Sequence, residues 1–95
     1  MITLVENSTY KLSAEVEGST YYLHFDYKLP QFTRFIYKIL LQQWVLILKE
    51  LESDGIKEVK AIVPAQDSKK NKLVSMFGLE EYDSYSECVF YRRVI

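Results

Sequence analysis

Ninety-five residues make one domain near the lower limit of what a single hydrophobic core sustains, and at 48% hydrophobic residues that core is well supplied. Twelve Lys and Arg against thirteen Asp and Glu leave a formal charge of −1. The broad positive field that draws a protein onto phosphate backbones is therefore missing, and nucleic acid is not expected as a partner.

In chain order, Ile2–Val5 reads as a short strand, set off by the polar Glu6-Asn7-Ser8. Tyr10–Glu17 alternates, with Tyr10, Leu12, Ala14 and Val16 on one face and polar residues on the other, the pattern of a half-buried strand. Gly18-Ser19 supplies a turn, and Thr20–Tyr27 alternates again, so the two runs form an antiparallel hairpin. From Gln31 to Leu51 the period changes. Phe32, Phe35/Ile36, Ile39/Leu40, Trp44, Ile47/Leu48 and Leu51 recur at spacings of three and four, one stripe of a long helix. Pro30 suits its first turn and Gly55 the position past its end. Leu41, Val45 and Leu46 widen the stripe beyond the roughly 100° of a surface helix, which predicts that two sides of it meet protein.

Lys57–Val63 follows as a short strand ended by Pro64. Asp67 or Ser68 caps a second helix, Lys69–Phe77, with Gly78 at its end. Leu79–Tyr85 and Glu87–Val94 read as a closing hairpin. Strand, long helix, strand is the βαβ crossover, which sets two strands parallel in one sheet. The predicted architecture is α/β (α+β): one domain over residues 1–95, a mixed β-sheet in the order β-β-β-α-β-α-β-β with two helices.

This order resembles the GNAT superfamily of acyl-CoA N-acyltransferases over about residues 10–95, most closely in GIKEVKAIVPAQDSKKNKLVSMFGLEE, residues Gly55–Glu81. The positions that carry the likeness are Gly55 closing the long helix, the apolar strand Val59–Val63, Asp67 where the family opens its next helix with Asn, and Gly78-Leu79. The resemblance implies a fold in which coenzyme A lies between the two parallel strands. It also implies departures. The family's Arg/Gln-x-x-Gly-x-Gly/Ala loop, whose bare backbone cradles the pyrophosphate, is placed near Phe35–Leu40 by counting back from Gly55, and that stretch has no glycine. The Tyr that many members use as acid toward the leaving thiolate corresponds to Val74. The N-terminal strand and helices of the acceptor side are not expected ahead of Tyr10. The result is similar to small phage-encoded GNAT-like proteins.

Two functions follow. The first is a non-catalytic GNAT-like protein acting through a protein partner or as a homodimer, with no cofactor. The second is a small acyl-CoA-dependent N-acetyltransferase, with acetyl-CoA held near Phe25, Asp26, Tyr27, Arg34 and Lys38, and His24 or water taking the proton. The second requires a gap between strands 20–27 and 57–63 that Phe35, Tyr37 and Leu40 do not fill.

His24 beside Asp26 reads either as a base with its orienting partner or as an ordinary strand face. Cys88, in an apolar strand, reads as a small hydrophobe. With a single His and a single Cys, no metal is expected. Lys69-Lys70-Asn71-Lys72 reads as an anion-collecting helix start or a solvated charge run, and Ser68 and Ser75 bear on chemistry only beside a coenzyme groove. The eight tyrosines divide between core and contact surface. The absence of internal disulfides fits a reducing compartment. MITLVENSTY lacks the charged start of a secretory leader. The most apolar run, Ile39–Leu48, falls short of the about 18–20 residues that span a bilayer. The expected location is the cytoplasm, that of the host if the source is viral.

Overall fold

The computed structural model describes residues 1–28 and 33–95. Its elements are β1 (Ile2–Glu6), β2 (Tyr10–Glu17), β3 (Thr20–Tyr27), α1 (Arg34–Ser53), β4 (Glu58–Pro64), α2 (Ser68–Met76), β5 (Glu80–Tyr85) and β6 (Cys88–Val94). They build a six-stranded sheet in the order β1-β2-β3-β4-β6-β5. β3 and β4 are parallel, joined by α1, and the other neighbouring pairs are antiparallel. The predicted order is the observed one.

Local chemistry sets the ends of the elements. The two-residue turn between β2 and β3 has Gly18 at φ +61°, so Glu17 pairs with Thr20 and the register runs without slip to Tyr10 opposite Tyr27. Thr33 accepts from the backbone N–H of Ile36 at 3.3 Å and caps α1, and Asp67 accepts from that of Lys70 at 3.1 Å and caps α2. At the far end of α2, Gly78 takes φ +84°, a left-handed conformation that asks for glycine.

Both helices cover one face of the sheet. Tyr10, Leu12 and Ala14 of β2, Tyr21, Leu23 and Phe25 of β3, and Val59, Ala61 and Val63 of β4 form one buried cluster with Leu40, Trp44, Ile47 and Leu51 of α1 and Leu73, Val74 and Phe77 at α2. Trp44 is the keystone between the helices. Its ring stacks on Phe77 at 4.5 Å, and its Nε1–H donates to the Phe77 carbonyl at 2.8 Å. The same carbonyl accepts from Arg93 at 2.7 Å. Gln43 accepts from the Tyr10 hydroxyl, tying α1 to β2.

The alternate residues Tyr22, His24, Asp26, Lys60, Ile62 and Arg92 are exposed or half-buried. Here the Lys60 ammonium lies 5.9 Å from the Tyr22 ring centre and 5.7 Å from that of Tyr82. Its bond to Glu58, 3.3 Å away, is the main cause holding its pKa above the usual lysine value.

Two expectations change. α1 begins at Arg34 and ends at Ser53, and the readings placed on Pro30, Gln31 and Phe32 lie outside the described residues. The widened stripe meets protein on one side of α1 only, since Val45 and Leu46 are 52% and 61% exposed. The physical reason is the layering: with both helices on one face of the sheet, nothing among the described residues packs over the outer side of α1.

Candidate functional site

The parallel ladder between β3 and β4 runs from Thr20 opposite Glu58 to Leu23 opposite Ala61 and stops there. Each strand continues, held by its outer neighbour: β3 stays paired to β2 as far as Tyr27, and β4 to β6 as far as Pro64. The sheet therefore splits down the middle, between His24–Tyr27 and Ile62–Pro64, without losing either half. The pocket in the split has a volume of about 120 Å³. The sheet side of its wall includes Leu23, Phe25, Asp26, Ala61 and Pro64, and α2 contributes Lys70, Leu73, Val74 and Phe77. Backbone groups released from a ladder can bond a ligand that inserts as an extra strand would.

Of the five residues predicted to contact the coenzyme, the split gathers two. Phe25 and Asp26 line it. Tyr27, half-buried at the end of β3, packs edge-on against Phe25 at 4.9 Å. Burial above all, then the neighbouring Tyr37 and Asp67, pushes the Tyr27 pKa well above the usual value. Arg34 and Lys38 sit in the first two turns of α1, exposed and outside the pocket wall.

The stretch Phe35–Leu40, taken from the sequence as the place of a phosphate loop, is helical throughout. Counting back from Gly55 stopped short, because α1 reaches back to Arg34. The large side chains of this stretch do not close the gap: Phe35 is 70% exposed, Leu40 is in the core at 0%, and Tyr37 packs against that core.

His24 lies on the sheet face away from the helices while lining the same split. Its Nε2 is 3.6 Å from a carboxylate oxygen of Glu15 on β2, so the nearest acid is across the strands and not Asp26. The hairpin register puts it there, with Ser13 opposite His24 and Glu15 opposite Tyr22. The two-residue turn at Gly18-Ser19 was the signal that could have found it.

Val74 is buried and lines the pocket, so the position that the resemblance matches to the family's Tyr offers no hydroxyl. Lys70 brings an ammonium to the wall. Within the lysine run, Asn71 has a structural task. Its Nδ2 donates to the carbonyls of Pro64 at 2.9 Å and Asp67 at 2.8 Å, and its Oδ1 accepts from Tyr91 at 2.6 Å. Asn71 thus holds the β4–α2 loop against the sheet. Ser75 donates back to the Asn71 carbonyl at 3.0 Å, Ser68 opens α2, and Cys88, half-buried, starts β6. Among the described residues there is no group of three His, Cys, Asp or Glu able to hold a metal, and no helix long and apolar enough to cross a membrane.

The fold is matched in solved structures. An N-acetyltransferase, PaiA, from Thermoplasma acidophilum, in complex with coenzyme A, superposes with a TM-score of 0.77 at 17% identity, over 92% of this chain and 54% of that one. The fold is that of the GNAT N-acetyltransferases. The ribosomal-protein-S18-alanine N-acetyltransferase of Escherichia coli matches with a TM-score of 0.68 at 14% identity, covering 92% of this chain and 61% of that one. A GNAT-family acetyltransferase from Streptococcus pneumoniae matches at 0.66 and 12%, covering 90% and 57%. The chain thus spans a little over half the length of these GNAT structures. No protein-family profile and no curated protein sequence matches it.

Proposed function

We propose that the chain is a small acyl-CoA-dependent N-acetyltransferase that holds its thioester substrate in the split between β3 and β4. The observation that carries this reading is the split itself: a parallel ladder that ends at Leu23 and Ala61 while both strands keep their outer partners, with a pocket of about 120 Å³ between them. A space of that size suits the acyl end of the thioester. Lys38, exposed at the start of α1, is the cation we assign to the phosphates.

Bound acyl-CoA would supply an acyl group already activated by its thiol. The chain's residues do the rest. To the part of β3 beyond Leu23, where the parallel ladder ends, we assign the stabilisation of charge on the oxygen of the reacting carbonyl. An acceptor amine reaches the acyl carbon from the side of His24; its nitrogen bonds to that carbon as the carbon–sulfur bond breaks. The amine's proton passes to the imidazole of His24, whose charge Glu15 then balances. Val74 gives no proton to the departing sulfur. The ammonium of Lys70, on the same wall, favours the thiolate by charge, and a thiolate is an acceptable leaving form because thiols ionise near about pH 8.5.

Calorimetric titration with acetyl-CoA tests the binding: we expect a dissociation constant in the micromolar range, and no heat and no melting shift at about 1 mM would overturn the reading. Release of free thiol with an amine acceptor tests the transfer, and His24→Ala is expected to lower it about a hundredfold. One observation favours the second reading, a GNAT-like protein that works by contact with a protein partner: the hydrophobic Val74 at the acid's position. No binding of acetyl-CoA and no turnover for any amine would select it.

A further inference from the structure

We infer that the uncovered side of α1 is the contact surface for a second copy of this chain, packed antiparallel about a two-fold axis. The inference goes beyond the proposed function and does not depend on it. The exposed and half-buried residues Arg34, Lys38, Leu41, Val45, Leu48 and Glu52 follow one another at steps of four, three, four, three and four. That is the seam of a helix pair.

Its chemistry is graded along its length, basic at the first two positions, apolar at the next three and acidic at the last. A parallel partner would oppose Arg34 to Arg34 and Glu52 to Glu52. An antiparallel partner centred between Leu41 and Val45 sets Leu41 against the partner copy's Val45, lays the Lys38 stem on the partner copy's Leu48, and closes both ends with Arg34–Glu52 pairs. The grading therefore fits a copy of the same chain in one orientation. Beside the seam lies a groove of about 540 Å³ whose wall continues the apolar surface through Met76, Val94 and Ile95; Val45 is 52% exposed and Val94 70%. A helix of 20 residues gives a seam about 30 Å long, which with these flanks approaches the roughly 800 Å² per partner of an ordinary interface. The opposite shoulder of α1, at Leu46, is 61% exposed but lies off the seam, which makes it the internal control.

Sedimentation velocity of the full chain across roughly 1–100 µM decides the matter. We expect a reversible dimer, weakened at least tenfold by Val45→Asp, weakened severalfold by Glu52→Arg and by added salt, and left intact by Leu46→Asp. All three sites are exposed in one chain, so circular dichroism should show each variant folded. A wild-type chain that stays monomeric throughout, a dimer that survives Val45→Asp, or equal losses for Val45→Asp and Leu46→Asp would each overturn the inference.

Discussion

The two halves of the β3–β4 pair make an instructive contrast. From Thr20 to Leu23 the strands are bonded and their inward residues, Tyr21, Leu23, Val59 and Ala61, are buried in one cluster. From His24 onward the same strands part, although burial continues through Phe25 and Val63. Hydrophobic content therefore does not separate the halves. What does is the support from outside: β2 and β6 hold each strand's outer edge to its end, and α2, with Leu73, Val74 and Phe77, fills the space under the split. A sheet can open in its middle when its two flaps are each stable ribbons.

The largest test of this contrast removes the prop beneath the split. Trp44→Ala deletes the ring stacked on Phe77 and the bond to its carbonyl, and is expected to cost about 3–5 kcal/mol in urea unfolding; a loss near that of an ordinary surface change would show that the split stands without it. Asn71→Ala acts on the flap of β4 alone. It removes the side-chain donor to the Pro64 and Asp67 carbonyls, which keep their backbone partners, and the acceptor of the Tyr91 hydroxyl, for about 1–3 kcal/mol, and should weaken acetyl-CoA binding more than an equally destabilising change in the β2–β3 hairpin does.

Val74→Tyr sharpens the contrast chemically, by placing an acid in the pocket wall. If the proposed transfer holds, thioester turnover should rise about 10- to 100-fold, read as thiol release, with little change in binding.

The smallest effect is one of pH. Burial raises the pKa values of both Tyr27, beside the split, and Tyr91, in the bonded part of the sheet. For a group raised in the folded state, the stabilisation is complete below the unfolded value of about 10 and is lost as pH rises through the folded one. Melting temperature should therefore fall above roughly pH 10, and Tyr27→Phe should make that fall shallower.

The elements were legible because their signals are local. Alternation named β2 and β3 to the residue, Asp67 and Gly78 marked the ends of α2, and the order β-β-β-α-β-α-β-β led to the fold. The candidate site was legible in part. Phe25, Asp26, His24, Val74 and Lys70, all singled out in the sequence, line the split, while Ala61 and Pro64 were not singled out because nothing in their own neighbourhood marks them.

The sequence by itself determined where the chain would be strand and where helix, since side-chain period and caps act over a few residues. Tertiary structure alone decided where the parallel ladder ends and which side of α1 the described residues leave uncovered. Each of these depends on which residues meet from distant parts of the chain, and a parallel pairing joined through a helix of 20 residues has no turn to fix its register.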